Sequence, residues 1–396
     1  MAVVTVGAAG DYTTWVAAET NSNASDTVQG IDNAEFAESI IISGADNRTF
    51  TVASGVRHDG TLGSGCRIRG TSGHTIEVVD DGITIEYLEI ELDHTGSSSE
   101  GIRCSQTTGE SGTVQYSIIH ANQQTTQQDG IYSGSLNGSR TLSVIACWIK
   151  GFNRAGIHIQ DFSDNSTLTA NIDSCLIVDC GHEAPGGGIA SNYNNAINVY
   201  NTACLDNTSS GDDYDDENTA ATWSGSNNIA SDTSAESRFT GSFDSVNLTD
   251  STAASGEVYL VTDETLTAPD WNLLDTGSGT RVAVGGGTDR NPPITQDMVG
   301  YSLDATGPDD IGPLQIQAAA ANQSDLPKGT MNLAGIVPQA AATENRFSNS
   351  AKGTMNLTGI APTVESTVIN ITSVDGDDTV LDGQQNVTVS GVGFVP

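Results

Sequence analysis

Lysine is almost absent from this sequence, and its few basic residues are far outnumbered by acids. Only 3 of the 14 basic residues are lysines, against 50 Asp and Glu, and the formal net charge is −36 at pH 7. A surface of this sign repels the phosphates of duplex DNA and the headgroups of anionic membranes. We therefore expect no nucleic-acid partner and no membrane insertion.

The excess of acidic residues also bears on the salt concentration at which the chain is stable. Repulsion among like charges destabilises a compact state unless counterions screen it, and the Debye length falls to about 3 Å near 1 M salt. The composition therefore supports the hypothesis of a marine or halophilic setting.

Long apolar runs and aromatic residues are scarce as well. No run approaches 18 apolar residues, the N-terminus shows no basic segment followed by an apolar one, and Phe, Trp and Tyr make up 5% of the chain. These absences predict neither a transmembrane helix nor a secretory signal. The 44 glycines suit a fold with many tight turns and a narrow aliphatic core.

A short phrase recurs between about residues 83 and 207. It is read as Glu-Tyr-Leu-Glu-Ile, Tyr-Ser-Ile-Ile, Ala-Cys-Trp-Ile, Ser-Cys-Leu-Ile and Ala-Cys-Leu-Asp, at steps of 30, 30, 28 and 29 residues. The copies align on Tyr87, Ser117, Cys147, Cys175 and Cys204, which we predict to form one inward structural ladder. Glycine-isoleucine pairs recur between the phrases, at Gly101-Ile102, Gly130-Ile131, Gly156-Ile157 and Gly188-Ile189.

Repeats of this length with two or three short strands each predict a solenoid whose coils bury a shared core. The phrases resemble those of right-handed parallel β-helix repeat proteins, over roughly residues 50 to 315. The predicted fold class is all-β, a right-handed parallel β-helix of eight to ten coils followed by a small β-rich C-terminal region. This architecture carries lyases, hydrolases, adhesins and viral shafts alike, so the fold alone leaves the function open.

The cysteines fit this interpretation better than a disulfide framework. The chain has six, no CxxC pair is present, and three of them fall in the repeated phrase at one coil spacing. We therefore expect buried core thiols and no cysteine-based metal site.

Four regions are predicted. Residues 1–35 form an N-terminal strand and a capping helix, 36–317 the β-helix, 318–366 repeated linker or anchor strands, and 367–396 a partial immunoglobulin-like segment. In the third region an eleven-residue phrase starting at Lys328 returns at Lys352, 24 residues on, with nine matches. This phrase resembles linkers of structural proteins of tailed viruses. The last region, with alternating strands and Asp-Gly turns, resembles the start of an IPT/TIG-type module.

Carboxylates in register on neighbouring coils would suit glycan cleavage, because adjacent strands lie about 4.8 Å apart. The candidates are Asp129, Asp161, Asp164 and Asp179, with His158, His182 and Glu183 nearby in sequence. The bland interpretation, which we favour from the sequence alone, is that these acids are turn residues and solvated surface, with Asp129-Gly130 as a turn. The sequence therefore commits to no catalytic residue and no glycan-binding residue.

An acidic run raises the question of a cation. Asp212, Asp213, Asp215 and Asp216 could offer carboxylate oxygens to Ca²⁺, but the glycine placement of known calcium loops is missing. A solvated loop is the favoured interpretation, and no cofactor or metal is expected. Trp148, Trp223 and Trp271 are candidates for sugar stacking, of which Trp148 lies in the repeated phrase and is expected to be packed.

The sequence favours a virion structural protein of a tailed virus, a β-helix decoration, spike or fibre on the particle surface. Residues 318–396 would bind capsid or tail proteins, the protein would form a homo-oligomer, with a trimer favoured, and host surface glycans would be a further contact. The alternatives are a tail-spike polysaccharide depolymerase, either hydrolase or lyase, and a cell-surface adhesin. From the sequence alone a non-enzymatic role is preferred.

Overall fold

The computed structural model describes residues 1–106, 111–122, 127–135, 139–161, 168–183, 186–193, 195–205, 207, 212–217, 221–240, 242–244, 289–290, 294–299, 312, 331–332 and 355–356. The chain divides into two units, residues 1–316 and 317–396. The first unit holds the solenoid.

Short strands make up nearly all of the regular structure in the described residues. They are β1 (Val3–Val6), β2 (Thr27–Gly30), β3 (Glu35–Phe36), β4 (Ile40–Ile42), β5 (Thr49–Val52), β6 (Arg67–Gly70), β7 (Ile76–Val78), β8 (Ile83–Glu86), β9 (Glu89–Leu92), β10 (Glu100–Gln106), β11 (Ser111–Gln115), β12 (Ile118–Ala121), β13 (Asp129–Ser135), β14 (Arg140–Ile145), β15 (Trp148–Lys150), β16 (Ala155–Asp161), β17 (Leu168–Asp173), β18 (Leu176–Val178), β19 (Gly187–Asn192), β20 (Ala196–Tyr200), β21 (Ala203–Leu205), β22 (Tyr214–Asp216), β23 (Thr222–Ser226), β24 (Ile229–Ala230) and β25 (Phe243–Asp244). The helices are α1 (Trp15–Thr20), α2 (Ser234–Arg238) and one 3₁₀ turn (Ser54–Val56). Neither α-helix is long and apolar enough to cross a membrane.

Three sheets make up the described part of the solenoid. Sheet A has the order β1-β2-β5-β8-β11-β14-β17-β20-β23, sheet B is β3-β6-β9-β12-β15-β18-β21-β24-β25, and sheet C is β4-β7-β10-β13-β16-β19-β22. Neighbouring strands pair in parallel, as in β12 with β9 and β15. Each of the seven strands of sheet C closes one coil, so the described residues hold seven complete coils. The predicted fold class, an all-β parallel β-helix, is confirmed, while eight to ten coils were expected.

The core consists of aliphatic ladders, because parallel pairing places equivalent residues of successive coils directly above one another. In sheet B, Ile90, Ile119, Ile149 and Ile177 are paired in register and fully buried, and Cys204 continues the same ladder. Alternation within a strand directs the intervening side chains outward. Stacked β-branched residues suit such a sheet surface and account for the low aromatic content.

A corner of two residues joins sheet A to sheet B in six successive coils. The first residue of each corner has a left-handed backbone, with φ between +48° and +59°. These residues are Tyr87, Tyr116, Ala146, Ser174, Asn201 and Asn227. Only the two asparagines are a residue type that favours this conformation, so the other four are held there by the pairing on either side.

The predicted ladder therefore needs a correction. Ser117, Cys147 and Cys175 do lie in register, since the strands that follow them pair directly from Ile118 through Trp148 to Leu176. Tyr87 is a corner residue one position earlier and stacks on Tyr116 with ring centroids 5.1 Å apart. Cys204 pairs with Ile177 in the next inward ladder. The physical reason is that coil length varies, so alignment by residue type gave the wrong register.

All six cysteines are free and buried. Burial raises the pKa of the Cys66, Cys104 and Cys180 thiols to about 12. Thiols in this state are apolar core groups and poor nucleophiles.

The recurring glycine-isoleucine pairs have a steric cause. A Cβ on Gly101 would lie 2.7 Å from the carbonyl oxygen of Gly130 and 2.9 Å from Cγ2 of the core residue Ile119. The backbone thus approaches both the core and the next coil at this point, where only glycine fits. The alternation of sheet C is interrupted there, and Glu100 or Asp129, before the glycine, faces outward.

Helix α1 covers the apolar end of the first coils. Thr14 caps it by accepting a hydrogen bond from the Ala17 amide at 3.2 Å, and Glu38 accepts from the Trp15 amide at 2.7 Å. The Trp15 ring is fully buried and packs on Phe36 at 6.2 Å. A capping helix was predicted for this region.

The second unit contains one described element pair. Strands β26 (Met331–Asn332) and β27 (Met355–Asn356) pair in parallel, with the two methionines in register. They belong to the two copies of the repeated phrase. The predicted immunoglobulin-like segment lies outside the described residues, and the predicted division into four regions stays a prediction.

Candidate active site

The outer face of sheet C carries a row of mostly polar side chains. Its central ladder is in register over five strands and consists of Arg103, Tyr132, His158, Ala190 and Asp215. Buried core isoleucines alternate with this row at Ile102, Ile131, Ile157 and Ile189. The period-two pattern of each strand therefore fixes the direction in which the polar residues point.

Asp129 lies at the start of β13 and is completely buried beside this ladder. Nε of Arg154 donates to its Oδ1 at 2.9 Å, while a terminal guanidinium nitrogen contacts Oδ2. Nδ1 of His158 lies 3.2 Å from the same Oδ2. Burial alone would raise the pKa of Asp129, but the His158 charge and these hydrogen bonds outweigh it and lower that pKa. Asp129 is therefore a buried carboxylate that orients His158.

Glu217 lies on the opposite side of the same imidazole ring. Its Oε1 is 3.6 Å from Nε2 of His158, and its Oε2 accepts a hydrogen bond from Nδ2 of Asn192 at 3.0 Å. The Glu217 side chain is only 6% exposed. Burial raises the pKa of Glu217 against the opposing effects of His158 and Arg154. The two carboxyl groups thus lie in opposite environments, one that lowers the pKa of Asp129 and one that raises the pKa of Glu217.

Two polar atoms face each other at the centre of this arrangement. His158 Nε2 and Glu217 Oε1 are both buried, and neither has a hydrogen-bond partner in the described part of the chain. Their separation slightly exceeds a normal hydrogen bond. A ring nitrogen and a carboxyl oxygen that face each other in this way form a candidate pair for proton transfer.

Arginine and tyrosine border the pair. The Tyr132 ring lies edge-on to the His158 ring at 5.5 Å, and its hydroxyl donates to Gln160 at 3.0 Å. The guanidinium carbons of Arg103 and Arg154 lie 5.4 and 6.0 Å from the Tyr132 ring centre. Two of the chain's few arginines are therefore concentrated on this face.

Asp215 extends the acidic side of the row. Burial, together with the charges of Glu217 and Asp212, raises its pKa to about 6. It lies one ladder position beyond Ala190 and belongs to the same coil as Glu217.

The structure brings together two of the residues proposed from the sequence, Asp129 and His158. The interpretation of Asp129 as a solvated turn is wrong, because the residue is buried and starts a strand. Asp164 lies outside the described residues, as does the side chain of Asp161.

The remaining candidates lie elsewhere. Asp179 accepts a hydrogen bond from Nε2 of His182 at 2.9 Å in the turn after β18. Glu183 accepts from the amide of Gln127 at 2.8 Å and from Asn153 at 3.1 Å. These contacts hold loops together and place none of the three in the row on sheet C.

Sequence reasoning missed Glu217 and Arg154. Glu217 stands at the end of an acidic run that was interpreted as a loop, whereas part of this run forms β22. Glu217 follows Asn192 by 25 residues, about one coil, and the two side chains are hydrogen-bonded. The available signal was this coil length, which places Glu217 beside the outer row once the strand is recognised.

The calcium expectation concerned the same run. Asp213 is buried and accepts hydrogen bonds from Asn207 at 2.7 Å and from the Ser231 hydroxyl at 2.7 Å. Asp212 lies 3.7 Å from Arg238. Among the described residues no group of three or more His, Cys, Asp or Glu side chains is arranged to hold a metal ion.

A second charged array, on the outer face of sheet B, is arranged differently. Arg67 pairs with Glu91 at 3.0 Å, and His120 pairs with Glu89 at 3.1 Å. Asn122 donates to Glu91 at 2.8 Å. Each buried acid here is matched by a donor, which is the pattern of a structural ion network.

The other aromatic candidates are packed or undescribed. Trp148 is fully buried, as expected, and Trp223 packs edge-on against Phe239 at 6.0 Å. Trp271 lies outside the described residues.

Comparison with known proteins gives structural likeness only. No protein-family model matches the sequence, and no curated protein matches it. A pectin methylesterase from Aspergillus niger in deglycosylated form has 14% identity and a TM-score of 0.31, over 68% of this chain and 94% of its own. A second form of that enzyme has 15% identity and a TM-score of 0.29 over 56% and 83%. Pectin methylesterase from carrot has 12% identity and a TM-score of 0.28 over 57% and 82%.

Proposed function

We propose that the outer face of sheet C binds a polysaccharide and cleaves its glycosidic bonds by general acid–base chemistry. The observation that carries this proposal is the position of His158, held by Asp129 on one side and facing Glu217 on the other. Because the His158 ring fills the space between the two carboxyl groups, the groups proposed to exchange protons with the substrate are His158 and Glu217, and Asp129 acts through His158.

The environments of the three groups suggest their roles. Asp129 stays ionised, fixes the orientation of His158 and stabilises the charge that this ring gains on taking a proton at Nε2, from the water that attacks the sugar in hydrolysis or from a sugar C–H group in elimination. Glu217, whose pKa burial raises, supplies a proton to the departing sugar oxygen. Arg154 balances the Asp129 carboxylate, so that His158 is not required to do so.

Incubation with polysaccharides of different charge and linkage tests the proposal. Polygalacturonate, alginate, xylan and dextran, at about 1 M NaCl to screen the acidic surface, would be followed by release of reducing ends and by ultraviolet absorbance. Ultraviolet-absorbing ends indicate an eliminating lyase, whereas reducing ends alone indicate a hydrolase. We expect turnover of at least one polymer. The rate of turnover should fall as pH rises through the raised pKa of Glu217.

Substitutions assign the activity to the site. His158→Ala and Glu217→Gln should each lower kcat by about 100-fold or more, as for loss of a proton-transfer group. The matched control is His182→Gln, which removes the other described Asp–His pair and should leave kcat unchanged. Full activity in His158→Ala, or inertness of the wild-type protein toward every polymer, would contradict the proposal.

We propose, as its setting, display on the surface of a virus particle through residues 318–396. One observation favours this second element: the two copies of the repeated phrase pair with each other as strands in a unit separate from the solenoid. Such short strands need a further surface to be stable, which capsid or tail proteins and identical copies around a threefold axis would supply.

Deletion of residues 318–396 tests the attachment. The truncated solenoid should stay folded by circular dichroism and keep any polysaccharide activity, but should be lost from purified particles when their proteins are analysed by mass spectrometry. Normal incorporation of the truncated chain would rule out attachment through this region.

A further inference from the structure

Tyr193 combines three properties that the proposed chemistry does not use. It directly follows β19, so it is the next residue after Asn192, the hydrogen-bond partner of Glu217. It is 40% exposed, the most exposed aromatic side chain that the structure describes. Its backbone is left-handed, with φ of +67°.

The left-handed conformation is unfavourable for a bulky side chain, since Cβ crowds the following carbonyl group. It is imposed by the turn that follows. The amide of Asn195 donates to the carbonyl of Tyr193 at 2.9 Å, and the buried Asn195 side chain donates to the carbonyl of Ile159 and to the Ser191 hydroxyl, both at 3.2 Å. Glycine or asparagine would occupy this position without strain. At the corners between sheets A and B such strain goes with buried or packed residues, whereas here it holds an exposed aromatic ring, which motivates a hypothesis of function.

Tyr193 lies close to the outer row of sheet C. Gln160 and Asn192 pair in register, and the Glu217 amide donates to the Ser191 carbonyl at 2.9 Å, so Glu217 stands beside Asn192 on the next coil. Adjacent strands lie about 4.8 Å apart and successive Cα atoms about 3.8 Å. The Cα of Tyr193 therefore lies within about 10 Å of that of Glu217, one coil before it and one residue further along the chain than Asn192.

We propose that Tyr193 is a stacking platform for a pyranose ring of the polysaccharide, next to the bond cleaved at His158 and Glu217. This inference rests on the proposed function. Tyrosine offers a large, rigid and amphipathic surface at low cost in conformational entropy. The ligand class is a glycan whose sugar presents an apolar face of axial C–H bonds to the ring, with its hydroxyl groups turned toward the polar row.

Three substitutions at this position separate binding from folding. Tyr193→Ala and Tyr193→Gly should raise KM about tenfold or more for the polymer that is turned over, with kcat within twofold, while Tyr193→Phe keeps both values. The thermal midpoint of Tyr193→Gly should exceed that of Tyr193→Ala, because only glycine removes the left-handed strain. A purely structural role would instead lower the midpoint of both and leave KM unchanged in the folded fraction.

Affinity electrophoresis in gels containing polygalacturonate, alginate, xylan or dextran provides a readout independent of turnover. The wild-type protein and His158→Ala should be retarded by the same polymer, and Tyr193→Ala should not. Retardation of Tyr193→Ala equal to wild type, with His158→Ala inactive, overturns the platform and leaves the proposed function standing. Absence of both retardation and turnover for the wild-type protein overturns both.

Discussion

The buried carboxyl group of Asp213 should make the stability of the solenoid fall as pH rises from 4 to 7. Burial and the nearby charge of Asp232 raise its pKa from 3.8 to about 7, although the Ser231 and Asn207 hydrogen bonds oppose this. Between these two values the folded protein keeps a proton that the unfolded chain has lost, so raising the pH favours unfolding. A difference of about 3 pKa units corresponds to about 4 kcal/mol of unfolding free energy, fully lost above about pH 7.

Denaturant unfolding at pH 4, 5, 6, 7 and 8 measures this term when wild type is compared with Asp213→Asn. The variant carries no titrating group at the site, and the contributions of all other acids cancel in the difference between the two curves. We expect the wild-type free energy of unfolding to fall by about 4 kcal/mol relative to the variant between pH 4 and pH 8. The variant has its own constant cost, since an amide cannot accept hydrogen bonds at both positions.

Asp212→Asn is the matched control, because this neighbouring side chain is 60% exposed. Its curve should run parallel to that of the wild-type protein. Parallel curves for Asp213→Asn and wild type would show that Asp213 is ionised in the folded state, and the reasoning from its burial would be wrong.

Three further predictions concern stability. Thermal midpoints should rise between low and molar NaCl, because screening weakens repulsion within a chain of net charge −36; an unchanged or lower midpoint would contradict the halophilic hypothesis. Arg48→Met should lower the free energy of unfolding by about 3 to 5 kcal/mol, because it leaves the buried Glu19 and the half-buried Asp80 without the guanidinium that contacts each at 3.0 Å; chemical denaturation measures this loss, and a smaller one would show that the acids relax into solvent. Gly101→Ala should cost about 1 to 3 kcal/mol through overpacking, whereas Gly112→Ala, whose Cβ would find nothing closer than 4.0 Å, should be nearly neutral; equal melting of the two variants would refute the steric explanation.

The sequence was sufficient to predict the coil architecture, because the recurring glycine-isoleucine pairs and the repeated phrase reflect a backbone that returns to the same position every coil. It was not sufficient for register. Paired residues of neighbouring coils in sheet B are 30 positions apart between Ile118 and Trp148 but 26 apart between Ala203 and Ile229. Aligning the repeated phrases by residue type therefore placed some residues one or two positions out of register, as it did for Tyr87.

The candidate site was only half visible in the sequence for a related reason. His158 stands out because histidine is rare in this chain, and Asp129 stands out because it precedes a recurring glycine. Their contact, however, depends on adjacent coils being in register. Glu217 was hidden in a run of acids, where composition predicts a solvated loop. Burial raises the pKa of Glu217, as it does those of Asp213 and Asp215 in the same run. It is a property of the packed coils and has no counterpart in the local sequence.

Helix α1 makes the amino-terminal end of the solenoid different from its other end. A stack of parallel coils ends in open backbone groups and apolar side chains, which can recruit further β-structure from another molecule. The fully buried Trp15 and its contacts with Phe36 and Phe50 block such growth at the amino-terminal end of this chain. Association that follows partial unfolding should therefore proceed in one direction only, from the exposed later coils. Deleting residues 1–21 should permit end-to-end fibres that the capped protein resists.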